Sequence, residues 1–346
     1  MSSKLDKLQE FNTTELEKRG NQFKIGAPAI EAITLGETII VGFGDGTIRM
    51  FRSNDKPQVI EAHKGVVLSM ARHKDSILTG GDDGRFLQIS SEGDIQEIAN
   101  FGSRWVDYVA ASNGNRVCSS GKNVYLWSNN NEKPKSLEHQ STVGGLAFDL
   151  KGKRLAVSRY GGVSVWKQSG KSWSSSNFSW KGSHGKVTFS PDGRYLVTAM
   201  QENQIHGWRI NDKADLAMSG YPAKIKSFTW VGDTPFLITS GSSDAVCWPF
   251  DGTDGPMGRK PICVANGGKQ LATYVQGLNG EKAVFAGFSD GSVLLSEIDE
   301  SKKPIHIRSS SGSEVSIIAV SSNSKYILIG DMKGNILWSS LWAQSN

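Results

Sequence analysis

Histidine and cysteine are the residues whose spacing would reveal a metal site or a nucleophile, since imidazole and thiolate are the usual zinc ligands. No two histidines have His-x-x-x-His spacing and no two cysteines have Cys-x-x-Cys spacing. These residues are His63, His73, His139, His184, His206, His306, Cys118, Cys247 and Cys263. The pattern predicts no metal site and no cofactor, and it indicates buried free thiols rather than a disulfide framework.

Two glycine-rich stretches resemble phosphate-binding loops in composition. GFGDG spans residues 42–46 and GGDDGR spans residues 80–85. Both precede strand-like runs, whereas a phosphate loop opens a helix whose N-terminus faces the anion. The sequence therefore predicts hairpin turns at both places.

The elements around these turns recur along the chain. Eight similar segments end 38 to 48 residues apart, at Phe51, Ile89, Trp127, Trp166, Trp208, Trp248, Ser296 and Ser339. Each contains short apolar runs separated by Gly, Asp, Asn and Ser, as in FSPDGRYLVTAMQENQIHGWRI at residues 189–210. A period near 40 with hairpin turns indicates radial repeats of four short strands.

This repeat is similar to that of the WD-repeat β-propeller family. The matching residues are the entry histidines, the aspartates of the turns and the closing tryptophans: His63, His139, His184, Asp45, Asp83, Asp290, Trp127, Trp166, Trp208 and Trp248. The resemblance implies that each entry histidine hydrogen-bonds within its own blade. The Trp-Asp dipeptide of the family is absent, since Ser128, Lys167, Arg209 and Pro249 follow the tryptophans.

The predicted fold is all-β, a propeller of four-stranded antiparallel blades, with eight blades preferred and seven as the alternative. Residues 21–346 form one propeller domain in this interpretation, and residues 1–20 form a tail or short amphipathic helix. Eight units need an eighth outer strand, which the C-terminus does not supply. We expect NQFKI, residues 21–25, to pair with NILWSSLW at the end of the chain and close the ring.

Composition excludes some functions. The 39 basic and 34 acidic residues give a charge of +5, and no block of like charges marks a nucleic-acid arm. No apolar run reaches the ~18 residues of a membrane helix, and MSSKLDKLQEF lacks a signal-peptide core. We therefore expect a cytoplasmic protein without a membrane partner, and nucleic acid is not the expected ligand.

The remaining candidates for function are loop residues. The expected innermost strands offer only Glu31 and Asp107 as carboxylates, on separate units, which argues against an enzyme. Large residues fall instead on loops expected at one face, where packing does not require them. These candidate partner-binding residues are Arg104, Trp105, Arg159, Tyr160, Gln201, Lys224 and Lys226.

The sequence thus favours a noncatalytic scaffold that presents rigid loops to protein partners. Two alternatives remain open at this point. One is an enzyme with a small-molecule or metal site at the channel mouth, and the other is a nucleic-acid-binding protein with a basic face. Trp105 has its own alternative, because it could begin the inner strand and pack there.

Overall fold

The computed structural model describes residues 14–53, 56–112, 114–128, 133–231 and 235–342. The chain contacts separate two compact units, and each is described by itself. Unit 1 comprises residues 1–40, 50–58 and 225–346, and unit 2 comprises residues 41–49 and 59–224.

Short strands make up almost all of the regular structure in the described ranges. The helix is α1 (Glu15–Arg19). The first strands are β1 (Asn21–Lys24), β2 (Ala29–Leu35), β3 (Thr38–Phe43), β4 (Thr47–Phe51), β5 (Gln58–Glu61), β6 (Val67–His73), β7 (Ser76–Gly81), β8 (Arg85–Ser90), β9 (Ile95–Asn100) and β10 (Tyr108–Ser112). The next are β11 (Asn115–Ser120), β12 (Asn123–Ser128), β13 (Lys135–Glu138), β14 (Val143–Phe148), β15 (Arg154–Ser169), β16 (Ser172–Phe189), β17 (Tyr195–Met200), β18 (Ile205–Arg209), β19 (Asp215–Met218) and β20 (Phe228–Val231). The last are β21 (Phe236–Thr239), β22 (Ala245–Pro249), β23 (Ile262–Val264), β24 (Ala272–Gly277), β25 (Ala283–Phe288), β26 (Val293–Glu297), β27 (Ile305–Arg308), β28 (Val315–Val320), β29 (Tyr326–Asp331) and β30 (Asn335–Ser340).

The strands form antiparallel sheets in chain order. Unit 1 contains the sheets β20-β21-β22-β23, β24-β25-β26-β27 and β1-β30-β29-β28, and unit 2 contains β6-β7-β8-β9 and β10-β11-β12-β13. The sheet β2-β3-β4-β5 has residues in both units. The predicted fold class is confirmed, since the chain is an all-β propeller of four-stranded antiparallel blades.

The number of sheets differs from the preferred prediction. The described residues form seven sheets rather than eight, because one sheet of unit 2 has six strands in the order β14-β15-β16-β17-β18-β19. Its two long strands each pair in two segments. Residues 154–159 of β15 pair with β14 and residues 160–169 pair with β16. Residues 184–189 of β16 then pair with β17. A single connected sheet therefore lies where two separate sheets were expected.

The predicted pairing of the two ends of the chain is confirmed. β1 lies antiparallel to β30, with Asn21 opposite Trp338 and Lys24 opposite Asn335. The Ile25 N–H extends the ladder by donating to the Gly334 carbonyl at 2.8 Å. β1 therefore covers an edge that β30 would otherwise expose.

Helix α1 lies against the same sheet. Its start follows from a capping box, in which the Thr14 hydroxyl accepts from the Glu17 N–H and the Glu17 carboxylate accepts from the Thr14 N–H. The buried Leu16 belongs to the apolar core of unit 1 with Leu337 and Leu341. Arg19 donates to the Leu341 carbonyl at 2.7 Å. The short-helix interpretation holds for residues 15–19, and residues 1–13 lie outside the described residues.

Side chains alternate between the two faces of each strand, and the apolar core lies where the apolar faces of the sheets pack. In unit 2 one cluster contains Val163, Phe178, Leu196 and Trp208. No helix in the described ranges is long and apolar enough to cross a membrane.

Candidate partner-binding surface

The entry histidine of the second repeat fixes the turn of its own sheet. His63 is buried, with Nδ1 2.9 Å from Asp83 Oδ1 and Nε2 2.9 Å from the Thr79 hydroxyl. Burial lowers the pKa of His63, although Asp83 partly opposes the shift. Burial alone would raise the pKa of Asp83, but its hydrogen bonds with His63 and with the N–H of Lys64 lower it. This network connects the loop before β6 to the turn after β7.

The other entry histidines also hydrogen-bond within their sheets. The indole N–H of Trp166 donates to His139 Nε2 at 3.1 Å. His184 Nδ1 lies 2.8 Å from the Thr198 hydroxyl, and its ring packs 5.6 Å from the ring of Trp208. Burial lowers the pKa of both histidines, so they are neutral groups of the framework. The imidazole rings therefore take part in hydrogen bonds that stabilise their own sheets.

The turn aspartates form local hydrogen bonds of the kind that shape hairpins. Asp45 accepts from the Thr47 N–H at 3.0 Å and from the Thr47 hydroxyl at 2.7 Å. Asp290 makes the same pair of contacts with Ser292, at 2.9 and 2.7 Å. Their carboxylates are therefore occupied in turn formation.

The closing tryptophans differ in burial. Trp127 and Trp208 are 3% and 2% exposed, whereas Trp166 and Trp248 are half-buried. Trp208 packs edge-on against Phe178 with ring centroids 6.0 Å apart. The four therefore belong mainly to packing rather than to an accessible site.

Trp105 is the clearest large side chain without a packing role. It follows β9 on the loop that leads to β10, and it is 57% exposed. The alternative in which Trp105 packs at the start of the inner strand is wrong, because Val106 takes the buried position at 0% exposure. The neighbouring Arg104 guanidinium lies 5.8 Å above the ring of Phe101, which orients it beside Trp105.

Of the two candidate residues at the turn in β15, Tyr160 is exposed and Arg159 is buried. Tyr160 is 60% exposed, as expected of a binding residue. Arg159 is only 9% exposed, and its guanidinium donates to the Tyr160 carbonyl at 3.0 Å and to Asn177 Oδ1 at 3.4 Å. The prediction that Arg159 faces a partner is corrected, because neighbouring residues of a strand point to opposite faces. Arg159 instead holds the Tyr160 turn.

Backbone contacts place Tyr160 and Gln201 on either side of one segment. Tyr160 pairs with Ser183 in the sheet, and the Gln201 N–H donates to the Ser183 carbonyl at 3.0 Å. Glu202 accepts from the Ser183 N–H at 3.1 Å. Gln201, whose side chain is exposed, therefore lies next to the segment that pairs with Tyr160.

Hydrogen bonds that begin at Asp107, two residues after Trp105, connect this loop to the same region of unit 2. The Gly121 N–H donates to Asp107 Oδ2 at 3.3 Å, and the Val143 N–H donates to the Gly121 carbonyl at 2.9 Å. Val143 in turn pairs with Arg159. Burial raises the pKa of Asp107, which serves this turn.

A further aromatic residue of this region was not predicted. Trp180 is 37% exposed, and its ring stacks on His206 with centroids 4.0 Å apart and an angle of 16° between the planes. Its carbonyl lies 3.1 Å from His184 Nε2. A tryptophan four residues before an entry histidine was the available signal. We define the aromatic turn surface as Arg104, Trp105, Tyr160, Trp180 and Gln201.

The two predicted lysines do not add to this set. Lys226 belongs to unit 1 and forms an ion pair with Glu314 at 2.5 Å. Lys224 is exposed at the end of unit 2.

No metal-binding cluster occurs in the ranges that the structure describes, since no three of His, Cys, Asp and Glu converge there. Cys118 and Cys247 are buried, and burial raises the pKa of both thiols. Cys263 is exposed and free.

Comparison with known proteins identifies the fold but no family. No family model matches the chain, and no curated protein matches it. Among 1747 matching chains of solved structure is the computationally designed Ika8 protein. It superposes with a TM-score of 0.73 over 96% of this chain and 99% of that chain, at 16% identity. At this identity, the likeness shows the fold alone.

Proposed function

We propose that the protein is a noncatalytic interaction scaffold whose aromatic turn surface binds a protein partner. The observation that carries this proposal is the exposure of two large aromatic residues, Trp105 at 57% and Tyr160 at 60%, on turns of a framework whose other aromatic residues mostly pack inside. Tryptophan, tyrosine and arginine are the residues most enriched in binding hot spots. Exposed aromatic surface that a partner covers contributes favourably to binding.

The turns that carry these residues are fixed before a partner arrives. Arg159 donates to the Tyr160 carbonyl, and the N–H of Arg104 donates to the Phe101 carbonyl at 3.4 Å. The ring of Trp180 stacks on the ring of His206, which fixes its orientation. Rigid loops reduce the ordering cost of association, so more of the contact energy appears as affinity.

The charges of the surface favour a protein over a polyanion. Arg104 and the exposed Lys181 are positive, whereas the exposed Glu202 is negative. A mixed rim around aromatic residues is typical of protein interfaces. A nucleic-acid face would instead concentrate positive charge along a phosphate path.

The decisive experiment compares proteins that co-purify with the wild type and with the double variant Trp105→Ala, Tyr160→Ala. The wild type should retain specific partners that the double variant loses, while both remain folded by circular dichroism. Trp342→Ala is the matched control, because Trp342 is 54% exposed in unit 1. An unchanged set of partners in the double variant would place the binding surface elsewhere.

Two measurements address the alternatives. Titration with random duplex DNA at increasing salt should show no steep loss of affinity, since such a loss reports phosphate neutralisation. Elemental analysis should find no stoichiometric metal. A steep salt slope or one bound metal per chain would favour the nucleic-acid or enzyme alternative.

The WD-repeat assignment is part of this proposal. Its support is the hydrogen bonding of His63, His139 and His184 within their own sheets, with Trp166 as the donor to His139. The proposed cytoplasmic location has its support in the buried free thiols alone, since disulfides mark oxidising compartments.

An eight-blade arrangement is the finer part of the fold proposal. The Gln168 N–H donates to the Lys153 carbonyl at 2.9 Å, so the two ends of β15 lie side by side. An extended strand of 16 residues would separate its ends by about 50 Å at ~3.3 Å per residue. In this proposal β15 is a hairpin that turns at Gly161 and Gly162, where φ is 86° and 132°. With β15 and β16 each counted as two strands, the six-stranded sheet would supply the eight strands of two four-stranded blades.

A further inference from the structure

One cavity has a lining that includes no residue of the aromatic turn surface. It has a volume of about 830 Å³ and lies in unit 2, beside β8, β9 and β11. Small-molecule sites usually have volumes of about 300 to 1,000 Å³. Its polar lining includes His73, Gln88 and Arg116, and Trp127 forms an apolar wall.

Arg116 is held in this cavity without a counter-ion. Its guanidinium donates to Gln88 Oε1 at 3.1 Å, and Gln88 Nε2 donates to the Ser76 hydroxyl at 3.0 Å. No carboxylate in the described ranges lies within ion-pair distance of Arg116, whereas other arginines of unit 2, such as Arg85 and Arg154, are paired with carboxylates. Burial lowers the pKa of Arg116, which means that its surroundings do not compensate its charge fully. An anion in the cavity would supply the missing partner.

His73 provides a second unused group. Both ring nitrogens are shielded from solvent and have no hydrogen-bond partner. Burial lowers the pKa of His73, and the charges of Arg116 and Lys74 lower it further. A neutral imidazole has one N–H to donate, and an unpartnered buried polar group is a cost that a bound acceptor would relieve.

The charges of the lining restrict the kind of anion. Lys74 and Arg116 are positive and Asp75 and Glu92 are negative, while Glu97 is paired with Arg85 at 2.7 Å. A lining that carries charges of both signs suits a molecule with one carboxylate and one positive group better than it suits a phosphate dianion. The planar guanidinium matches the two oxygens of a carboxylate.

We propose that this cavity binds a small zwitterionic carboxylate of the amino acid class. Arg116 and His73 donate to its carboxylate, and its ammonium group faces the acidic side chains of the lining. The apolar wall at Trp127 contacts the carbon chain between the two groups.

Titration calorimetry with the full chain tests this assignment. The probes are 4-aminobutyrate, which has both charged groups, butylamine, which lacks the carboxylate, and inorganic phosphate. We expect saturable binding of 4-aminobutyrate, and binding at least about tenfold weaker for the other two probes. Absence of saturable binding, or phosphate or butylamine binding as tightly, would overturn the proposal.

Variants connect the binding to these residues. Arg116→Gln should weaken 4-aminobutyrate binding at least about tenfold, as expected for loss of a charge-assisted contact. Arg194→Gln is the control, since Arg194 pairs with Asp192 at 2.6 Å at another site of unit 2. If Arg116→Gln does not fold, His73→Phe serves instead, because the ring volume stays while the donor is lost. Unchanged affinity in a folded variant of either kind would contradict the site.

Discussion

His206 shows how burial determines the acid response of a single residue. It is 0% exposed, and neither ring nitrogen has a hydrogen-bond partner. Its ring contacts Trp180, Trp208 and His184, at 4.0, 4.7 and 6.2 Å between centroids. Burial lowers its pKa from 6.5 to about 4, with a further contribution from His184, while Asp215 acts in the opposite direction.

The sign of the resulting pH dependence follows from proton linkage. The unfolded histidine titrates near 6.5, so between pH 6.5 and 4 the unfolded chain binds a proton that the folded chain does not. The free energy of unfolding therefore falls as the pH drops through this window. A full shift of this size corresponds to about 3 kcal/mol.

His206→Phe should make this loss of stability shallower, because the ring remains and the titrating group is gone. Urea unfolding at pH 7, 6, 5 and 4 would measure the free energy of unfolding of the variant and the wild type. His306→Phe is the control, since His306 is exposed on β27. Identical pH profiles for wild type and His206→Phe would show that His206 does not titrate in this way.

Two tryptophans separate the packing role from the binding role. Trp208→Ala should lower the free energy of unfolding by about 3 to 5 kcal/mol, the usual cost of removing a large buried aromatic side chain. Trp105→Ala should cost less than about 1 kcal/mol, because the side chain is already exposed. Denaturant unfolding measures both values. A loss below about 1 kcal/mol for Trp208→Ala would mean that its contacts with Phe178 and His184 contribute little.

At the scale of elements, the N-terminal segment contributes more than a pairing strand. Besides β1, the helix α1 buries Leu16 against Leu337, and the Thr14 hydroxyl donates to the Ile307 carbonyl at 2.7 Å. Glu17 also accepts from the Ser309 hydroxyl at 2.9 Å. These contacts show that α1 packs on the sheet that β1 completes.

Truncation should therefore reduce stability in two steps. Deleting residues 1–19 removes α1 and should lower the melting temperature, and deleting residues 1–26 removes β1 as well and should lower it further or cause aggregation through the open edge of β30. Differential scanning calorimetry measures the melting temperatures of the wild type and of the two truncations. Equal melting temperatures for the two truncations would show that β1 does not stabilise the sheet.

A point variant separates the contribution of the helix to stability from that of the strand. Leu16→Ala should cost about 2 kcal/mol, the lower end for a buried leucine, since α1 has only five residues. Lys18→Ala is the matched control on the same helix, because its ion pair with Glu15 is exposed and such pairs contribute about 0 to 1 kcal/mol. If both variants unfold alike, Leu16 is not held in the core.

The elements that the sequence predicts well are those with a strong periodic pattern. Alternating apolar residues and Gly-Asp turns identify the strands and the pairing of Asn21–Lys24 with Asn335–Ser340, because register and edge protection follow from the pattern. The burial of Arg159 does not follow from it. A shift of one residue at the turn exchanges inside and outside, and the partner Asn177 lies 18 positions away.

The cavity around Arg116 could not be predicted from the sequence, for a related reason. His73, Gln88 and Arg116 come from three different strands of two sheets, and none of them belongs to a motif. Only the packing of the sheets in unit 2 brings them together. Binding residues without local spacing are visible only once the fold is known.

At the scale of the whole molecule, the question is how many blades the repeats form. Eight segments of similar length in the sequence predict eight four-stranded units, and the described residues form six four-stranded sheets and one of six strands. The two counts agree if β15 and β16 each contribute to two blades. The Gln168–Lys153 hydrogen bond supports the proposed fold-back in β15.

If the proposed fold-back is right, cryo-electron microscopy should resolve eight four-stranded blades. Residues 154–159 should pair with both β14 and the second half of β15, and residues 184–189 should begin the blade of β17, β18 and β19. Gly162→Ala tests the turn independently, since an added Cβ would lie 2.1 Å from the Phe178 carbonyl oxygen and φ is 132°. That variant should lose at least about 1 kcal/mol of stability, because residues other than glycine are strained at this conformation. A map with seven blades, in which β15 runs straight past Gly162, would refute the hairpin and with it the correspondence of one sequence repeat to one blade.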